Sequence, residues 1–189
     1  MSSVGWSEVI LILTRRDQSL TYDFEPERFP LRYQFLHDYG ALIAVWNEFE
    51  IAIEVAIMRR TGMTPLKASI VLSAIGFGHK RNILDALLKE EGREDLITKL
   101  ESAINAAGRN AFVHGVPTGN KDLTEFAFAR RDFKNKRYRT KPIRFTAESF
   151  REHFLNFQGQ YVELAAALGV TMDDIDAYAR EARFDWPKS

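Results

Sequence analysis

A stretch of about thirty residues, from about Leu31 to Arg60, constrains the fold of this chain most. Its apolar residues recur at steps of three and four, the period of an α-helix. Further apolar residues at Ile43, Ile51 and Val55 widen the stripe beyond one face, which is typical of a central helix or of one that also packs on a second subunit. The residues with the helical spacing are Leu42, Val45, Trp46, Phe49, Ile53 and Ile57.

The same period predicts shorter helices along the rest of the chain. Thr64 and Pro65 favour a helix start before Leu66, and Thr146 and Thr171 favour two later starts. Apolar spacing predicts these helices over about 66–75, 79–90, from Glu94 to about Val113, 146–168, and in a short segment after Thr171.

The composition changes near residue 124. Residues 126–131 and 137–145 alternate with period two on either side of a polar turn, a pattern that predicts a β-hairpin over about 124–145. Residues 1–31 contain two prolines near their end and predict an irregular lead-in. The expected fold is therefore mainly α, a four- to five-helix bundle with one inserted β-hairpin, formed by residues 32–189.

Composition excludes several classes of protein. The chain has 189 residues, enough for one domain with its own core. Its 26 basic and 26 acidic residues exclude a uniformly basic nucleic-acid coat. It has no cysteine, which excludes disulfides, thiolate zinc sites and a cysteine nucleophile.

The N-terminal residues and the longest apolar stretch indicate where in the cell the protein is expected. Val9–Leu13 has no basic segment before it and no small-residue cleavage site after it, so we do not expect a signal peptide. The stretch from Ala41 to Met58 contains three glutamates and falls short of a membrane span of about 20 apolar residues. We expect a cytoplasmic protein with no membrane partner.

Familiar cofactor patterns are missing from the sequence. None of the histidines has the spacing of a metal site, and no phosphate-binding loop, dinucleotide fingerprint or nucleophile elbow occurs. We therefore expect no cofactor and no metal. The four histidines are His37, His79, His114 and His153.

The segment from Gly108 to Gly115 carries residues suited to phosphoryl chemistry. On a helix, Asn110 and His114 are i,i+4 neighbours, and the long side chain of Arg109 reaches the same end. Guanidinium binds phosphate oxygens bidentately, and histidine serves as a general acid or base near neutral pH. The alternative is structural: an exposed arginine, and a histidine that interacts with the helix dipole.

The segment resembles the R-x(4–6)-H motif of the HEPN superfamily, in which arginine is followed by a polar residue and histidine by glycine. Arg109, Asn110, His114 and Gly115 match those positions. The order of helices over about residues 33–168 is similar too, whereas the hairpin and residues 1–31 depart from the family pattern.

The resemblance implies a helical bundle that forms a homodimer, with the motifs of two subunits facing one cleft. It also implies a metal-independent endoribonuclease. Such an enzyme would act as a toxin or defence effector that an antitoxin or regulatory protein restrains. His114 would take a proton from the ribose 2′ hydroxyl or give one to the leaving 5′ oxygen. Arg109 would stabilise the charge on the phosphate, and Asn110 would orient the imidazole or its phosphate partner. Products would end in 2′,3′-cyclic phosphates.

Two alternatives remain at this stage. Other HEPN proteins are catalytically silent modules that bind RNA, a nucleotide or a protein partner, and a fold alone does not establish activity. A purely structural helical protein, in which the motif is accidental, is the other alternative.

The predicted hairpin concentrates positive charge. Residues 130–144 hold eight basic residues and one acidic residue, Asp132, a local charge of 8 − 1 = +7. Interleaved aromatic residues make this a candidate RNA clamp, and the alternative is a solvated edge that resists aggregation. The RNA-binding candidates are Arg130, Arg131, Lys134, Lys136, Arg137 and Arg139.

Glu50 and Glu54 share one face of the long helix. They could form a catalytic carboxylate pair, a solvated stripe, or ion pairs with a neighbouring helix, or they could hold Arg109 or His114 in place. Lys80, at the start of the predicted third helix, is expected on its polar side or in contact with phosphate.

Overall fold

The computed structural model describes residues 30–108, 112, 116–119, 124–134 and 137–181. Residues 1–29 of the predicted lead-in lie outside this range, whereas residues 30 and 31, also assigned to the lead-in, belong to the first helix. The described helices are α1 (Pro30–Thr61), α2 (Pro65–Ser73), α3 (Phe77–Glu90), α4 (Glu94–Ala107), α5 (Ala147–Leu168) and α6 (Met172–Glu181). The mainly helical class predicted from the sequence is confirmed.

Three strands follow α4: β1 (Val116–Gly119), β2 (Phe126–Lys134) and β3 (Arg137–Phe145). They form one antiparallel sheet in the order β1-β2-β3. The hairpin predicted over 124–145 is confirmed as β2 and β3. Strand β1 was not expected, because its Val-Pro-Thr-Gly sequence indicates a turn, yet it pairs from Val116 opposite Ala129 to Gly119 opposite Phe126.

Local capping explains where several helices begin. The Thr64 side chain accepts a hydrogen bond from the Lys67 amide, with Pro65 as the first helical residue, as predicted. Thr146 and Ser149 form a reciprocal capping box before α5. Thr171 caps the start of α6 in the same way, with Asp174 accepting from the Thr171 amide.

The predicted end of α4 is wrong. The apolar pattern extends that helix to about Val113, but α4 ends at Ala107. Gly108 stops it with a φ of +57°, the left-handed conformation that glycine adopts without a Cβ clash. The Arg109–His114 segment therefore follows α4 rather than forming its last turns.

The larger of two hydrophobic cores fills the helical bundle. Phe49, Ile53 and Val55 on α1 are fully buried. Phe49 meets Phe157 of α5 edge-on, with ring centroids 5.8 Å apart. All six helices contribute buried side chains to this core, with α1 at its centre as the wide apolar stripe predicts.

The smaller core joins the sheet to the bundle and consists largely of phenylalanine. We call it the phenylalanine cluster. Strand β2 contributes two rings, α1 and α5 one each, and the segment after α4 contributes Phe112. Its buried members are Phe35, Leu42, Phe112, Phe126, Phe128 and Phe150.

None of the helices within the described ranges is both long enough and apolar enough to cross a membrane.

Candidate functional site

Within the Arg109–His114 segment, the structure describes Phe112 alone. Arg109, Asn110 and His114 lie outside the described residues, so their predicted roles stay predictions. Two described residues bracket Arg109 and Asn110 in sequence, namely Gly108 before them and Phe112 after them.

Phe112 anchors this segment in the phenylalanine cluster. Only 1% of Phe112 is exposed. Its ring lies edge-on to Phe128 of β2, with centroids 4.7 Å apart, and edge-on to Phe150 of α5, at 5.6 Å. Edge-to-face contacts of this kind add to the free energy gained by burial. One side chain of the motif segment thus touches both the sheet and the bundle.

Tyr39 of α1 holds the backbone at the same residue. Its hydroxyl donates a hydrogen bond to the Phe112 carbonyl, at 3.0 Å. The phenol ring is partly buried against the phenylalanine cluster. Burial raises the pKa of Tyr39, so the hydroxyl keeps its proton at neutral pH and remains a donor.

The chain approaches itself closely at Gly108. A Cβ on Gly108 would lie 2.8 Å from Phe112 Cε2 and 3.4 Å from His153 Nε2. A side chain here would push on the Phe112 ring, in addition to the strain from the positive φ. Both features require glycine at the position just before Arg109.

His153 of α5 lies against the same turn and was not among the predicted site residues. The centroid of its ring lies 5.1 Å from the centroid of the Phe112 ring and 5.6 Å from that of the Phe145 ring. Its Nε2 is buried and has no hydrogen-bond partner in the part of the chain that the structure describes. Burial lowers the pKa of His153, and a hydrogen bond with the Ala107 backbone offsets that effect only in part. The imidazole is therefore neutral at pH 7.

A buried carboxylate beside Tyr39 connects α1 to α5. Asp38 is buried, and its Oδ2 accepts a hydrogen bond from Arg151 Nε of α5, at 3.2 Å. Its Oδ1 accepts one from Gln34, at 2.8 Å, one turn earlier on α1. The bond from Arg151 joins the helix that carries Tyr39 to the helix that carries His153.

The predicted RNA-binding residues fall on β2, β3 and the turn between them. The backbone register sets Arg130 opposite Lys141, Asp132 opposite Arg139, and Lys134 opposite Arg137. Lys136 lies outside the described residues, and Arg131 is paired with Thr140. Two of these three pairs join residues of like charge, and the third, Asp132 with Arg139, joins residues of opposite charge.

Glu50 and Glu54 form ion pairs with a neighbouring helix, one of the predicted alternatives. Both carboxylates accept hydrogen bonds from Lys80 Nζ of α3, at 2.7 Å to Glu50 and 2.5 Å to Glu54. The second oxygen of Glu54 accepts a hydrogen bond from the Tyr178 hydroxyl of α6, at 2.9 Å. We call these four residues the lysine cluster.

The predicted position of Lys80 is wrong. Only 4% of this residue is exposed, so it does not lie on the polar side of α3. Two carboxylates four residues apart on a buried helix face require a cation, and Lys80 supplies it. Burial alone would lower the pKa of Lys80, but hydrogen bonds and charges from Glu50 and Glu54 outweigh burial and raise it.

The lysine cluster lies apart from Phe112. Glu50 follows Tyr39 by eleven residues on α1, which is about 16 Å along a helix. Because Tyr39 contacts Phe112 directly, Glu50 and Glu54 lie about three to four helical turns away from that contact. Their described partners are Lys80 and Tyr178, and contact with Arg109 or His114 stays an untested prediction.

Within the described ranges, no group of three histidine, aspartate or glutamate side chains is arranged to hold a metal ion. The described groups around Phe112 are a phenol donor, a neutral imidazole and aromatic rings. Such groups can orient a backbone and exclude water.

Comparison with known protein families, with curated proteins and with solved structures finds no match for this chain.

We predict that Lys80→Met lowers the free energy of unfolding by about 3 kcal/mol, because it leaves two carboxylates without their buried cation. Urea unfolding at pH 7 measures this change. Lys89→Met is the matched control: Lys89 pairs with Asp85 on the exposed surface of α3, and its loss should change stability little. Equal effects of the two substitutions would contradict the prediction.

We also predict that His153 makes stability depend on pH. Because burial lowers its pKa, the unfolded chain binds a proton more readily than the folded protein. The free energy of unfolding therefore falls as the pH drops through the ordinary histidine value of about 6.5.

The variant His153→Gln should show a shallower fall over the same pH range, measured by urea unfolding at several pH values. The exposed His79 provides the control variant His79→Gln, which should retain the dependence of the wild type. An unchanged slope in His153→Gln would show that this imidazole is not the group responsible.

Proposed function

We propose that the chain is a metal-independent endoribonuclease of the HEPN type, with Arg109 and His114 as its catalytic residues. The observation that carries this proposal is the contact of Phe112 with Phe128. It joins the segment that holds both candidate catalytic residues to the strand that continues into the basic hairpin.

The short distance along β2 supports a shared RNA site. Arg130 follows Phe128 by two residues, which is about 7 Å along a strand. A strand of RNA bound through its phosphates to the hairpin would therefore pass close to the Arg109–His114 segment. Lys134, Arg137 and Arg139 lie farther along the same two strands, toward the turn of the hairpin.

The proposed chemistry needs two functional groups and an orienting amide. His114 takes the proton of the ribose 2′ hydroxyl or gives one to the leaving 5′ oxygen. Arg109 stabilises the charge on the pentavalent phosphate, and Asn110 orients these groups. The 2′ oxygen forms a bond to phosphorus as the bond to the 5′ oxygen breaks, leaving a 2′,3′-cyclic phosphate and a 5′ hydroxyl.

The proposal includes a homodimer whose two Arg109–His114 segments share one RNA, in a HEPN-like bundle. It also includes a cytoplasmic location and a role as a toxin or defence effector, restrained by an antitoxin or another regulatory protein. These features follow from the resemblance of residues 108–115 to the HEPN motif.

We predict that the wild-type protein cleaves a mixed-sequence RNA in EDTA and that His114→Ala lowers the rate by at least about 100-fold. Gel analysis gives the rate, and the chemistry of the product ends identifies the cyclic phosphate. His79→Ala, at an exposed histidine of α3, is the control and should cleave as fast as the wild type.

Two results would contradict this proposal. Equal cleavage by the wild type and His114→Ala would indicate another catalytic group or a contaminating nuclease. Absence of cleavage by a wild-type protein that still binds the RNA would favour the catalytically silent binding module.

We predict that Arg130→Glu combined with Arg131→Glu weakens RNA binding and flattens its salt dependence. Loss of two phosphate contacts should reduce the slope of log K against log salt by about 1.4 for a single strand. Fluorescence anisotropy with a labelled RNA measures both quantities.

The control for this prediction is Lys67→Glu combined with Arg180→Glu, which changes the net charge equally at exposed positions on α2 and α6. If both double variants lost the same affinity, overall charge rather than the hairpin would govern binding.

A further inference from the structure

The proposed reaction makes no use of the Tyr39 hydroxyl, although this group touches the motif segment. Tyr39 lies 70 residues before Arg109 in the sequence, on α1. Its hydroxyl donates to the Phe112 carbonyl at 3.0 Å. That carbonyl belongs to the peptide group joining Phe112 to Val113, and His114 is the next residue.

The donor is held in place from several sides. The Tyr39 ring stacks on Phe35, with centroids 5.8 Å apart and an interplanar angle of 15°. It also contacts Phe128 at 5.6 Å. The neighbouring Asp38 ties this turn of α1 to Arg151 of α5. The hydroxyl is therefore presented to Phe112 by a rigid support.

The side chain of the acceptor residue is fixed, whereas the orientation of its carbonyl is not fixed by the ring. The Phe112 ring is fixed by its contacts with Phe128 and Phe150. A fixed ring still permits the following peptide plane to rotate about the backbone bonds of Phe112. Because the peptide group is planar, a hydrogen bond to its oxygen also fixes its N–H and the direction in which the chain continues to Val113.

We propose that Tyr39 is a positioning residue for His114, acting through the Phe112–Val113 peptide group. This inference rests on the proposed function, since it assigns His114 a role in RNA cleavage. Small displacements of a catalytic group lower rates steeply, so a hydrogen bond at this point affects catalysis more than stability.

Tyr39→Phe removes only the hydroxyl and keeps the ring in the phenylalanine cluster. We expect kcat for RNA cleavage to fall about tenfold, with KM unchanged because the hairpin residues that bind RNA are untouched. We also expect faster hydrogen exchange in peptides that cover residues 109–118, measured by mass spectrometry on the full chain without RNA.

Tyr178→Phe is the matched control. It too removes a partly buried phenol hydroxyl that donates a hydrogen bond, here to Glu54 at 2.9 Å in the lysine cluster. A bond to a carboxylate contributes at least as much stability as one to a carbonyl. This control should therefore match or exceed the loss of stability, while kcat and exchange at 109–118 remain as in the wild type.

The two measurements separate the two proposals. Unchanged exchange at residues 109–118 in Tyr39→Phe overturns the positioning role, whatever the activity. An equal fall in kcat for Tyr39→Phe and Tyr178→Phe also overturns it, because general destabilisation then explains the loss. A wild-type protein that does not cleave RNA overturns the proposed function, and local exchange that rises only in Tyr39→Phe still supports the anchor at Phe112.

Discussion

Burial of Phe112 is the contact on which the arrangement of sheet, bundle and motif segment depends. A phenylalanine ring gains about 2 to 3 kcal/mol when it is removed from water, and this one gains it by touching Phe128 of β2 and Phe150 of α5 together. The sheet also packs on the bundle directly, since Phe126 lies 4.2 Å from Phe35 of α1 and 5.5 Å from Phe150 of α5, between ring centroids. Phe112 therefore belongs to the same set of contacts that holds the sheet to the bundle.

The lysine cluster imposes a separate constraint farther along α1. Displacement of Lys80 would leave Glu50 and Glu54 without a counter-charge. The ion pairs therefore fix α3 against α1 in one orientation. Tyr178 adds α6 to the same arrangement through Glu54. The long helix therefore carries a charged cluster that fixes the bundle and, about three turns earlier, Tyr39, whose hydroxyl contacts Phe112. Substitutions in the lysine cluster therefore test stability, and substitutions at Tyr39 test the proposed function.

Sequence periodicity predicts the helices well because their starts and ends depend on neighbouring residues. Thr64, Thr146 and Thr171 act as caps within their own turns, and each was predicted. The end of α4 was not predicted, because apolar residues continue past Gly108 and the left-handed glycine breaks the helix despite them. Strand β1 was missed because its pairing with β2 is a tertiary contact. Lys80 and Tyr39 were missed for the same reason: their partners lie 30 and 73 residues away.

The phenylalanine cluster also fixes the position of the basic strands along the chain. Side chains of a strand alternate between its faces, so a shift of β2 by one residue would turn Phe126 and Phe128 out of the cluster. Both rings are buried, and Phe126 pairs in register with Phe145 of β3. Burial of these rings therefore sets the register that brings Arg130 opposite Lys141 and Lys134 opposite Arg137. Phe112 contacts that same strand, so the register of the basic strands and the position of Phe112 are consequences of one packing arrangement.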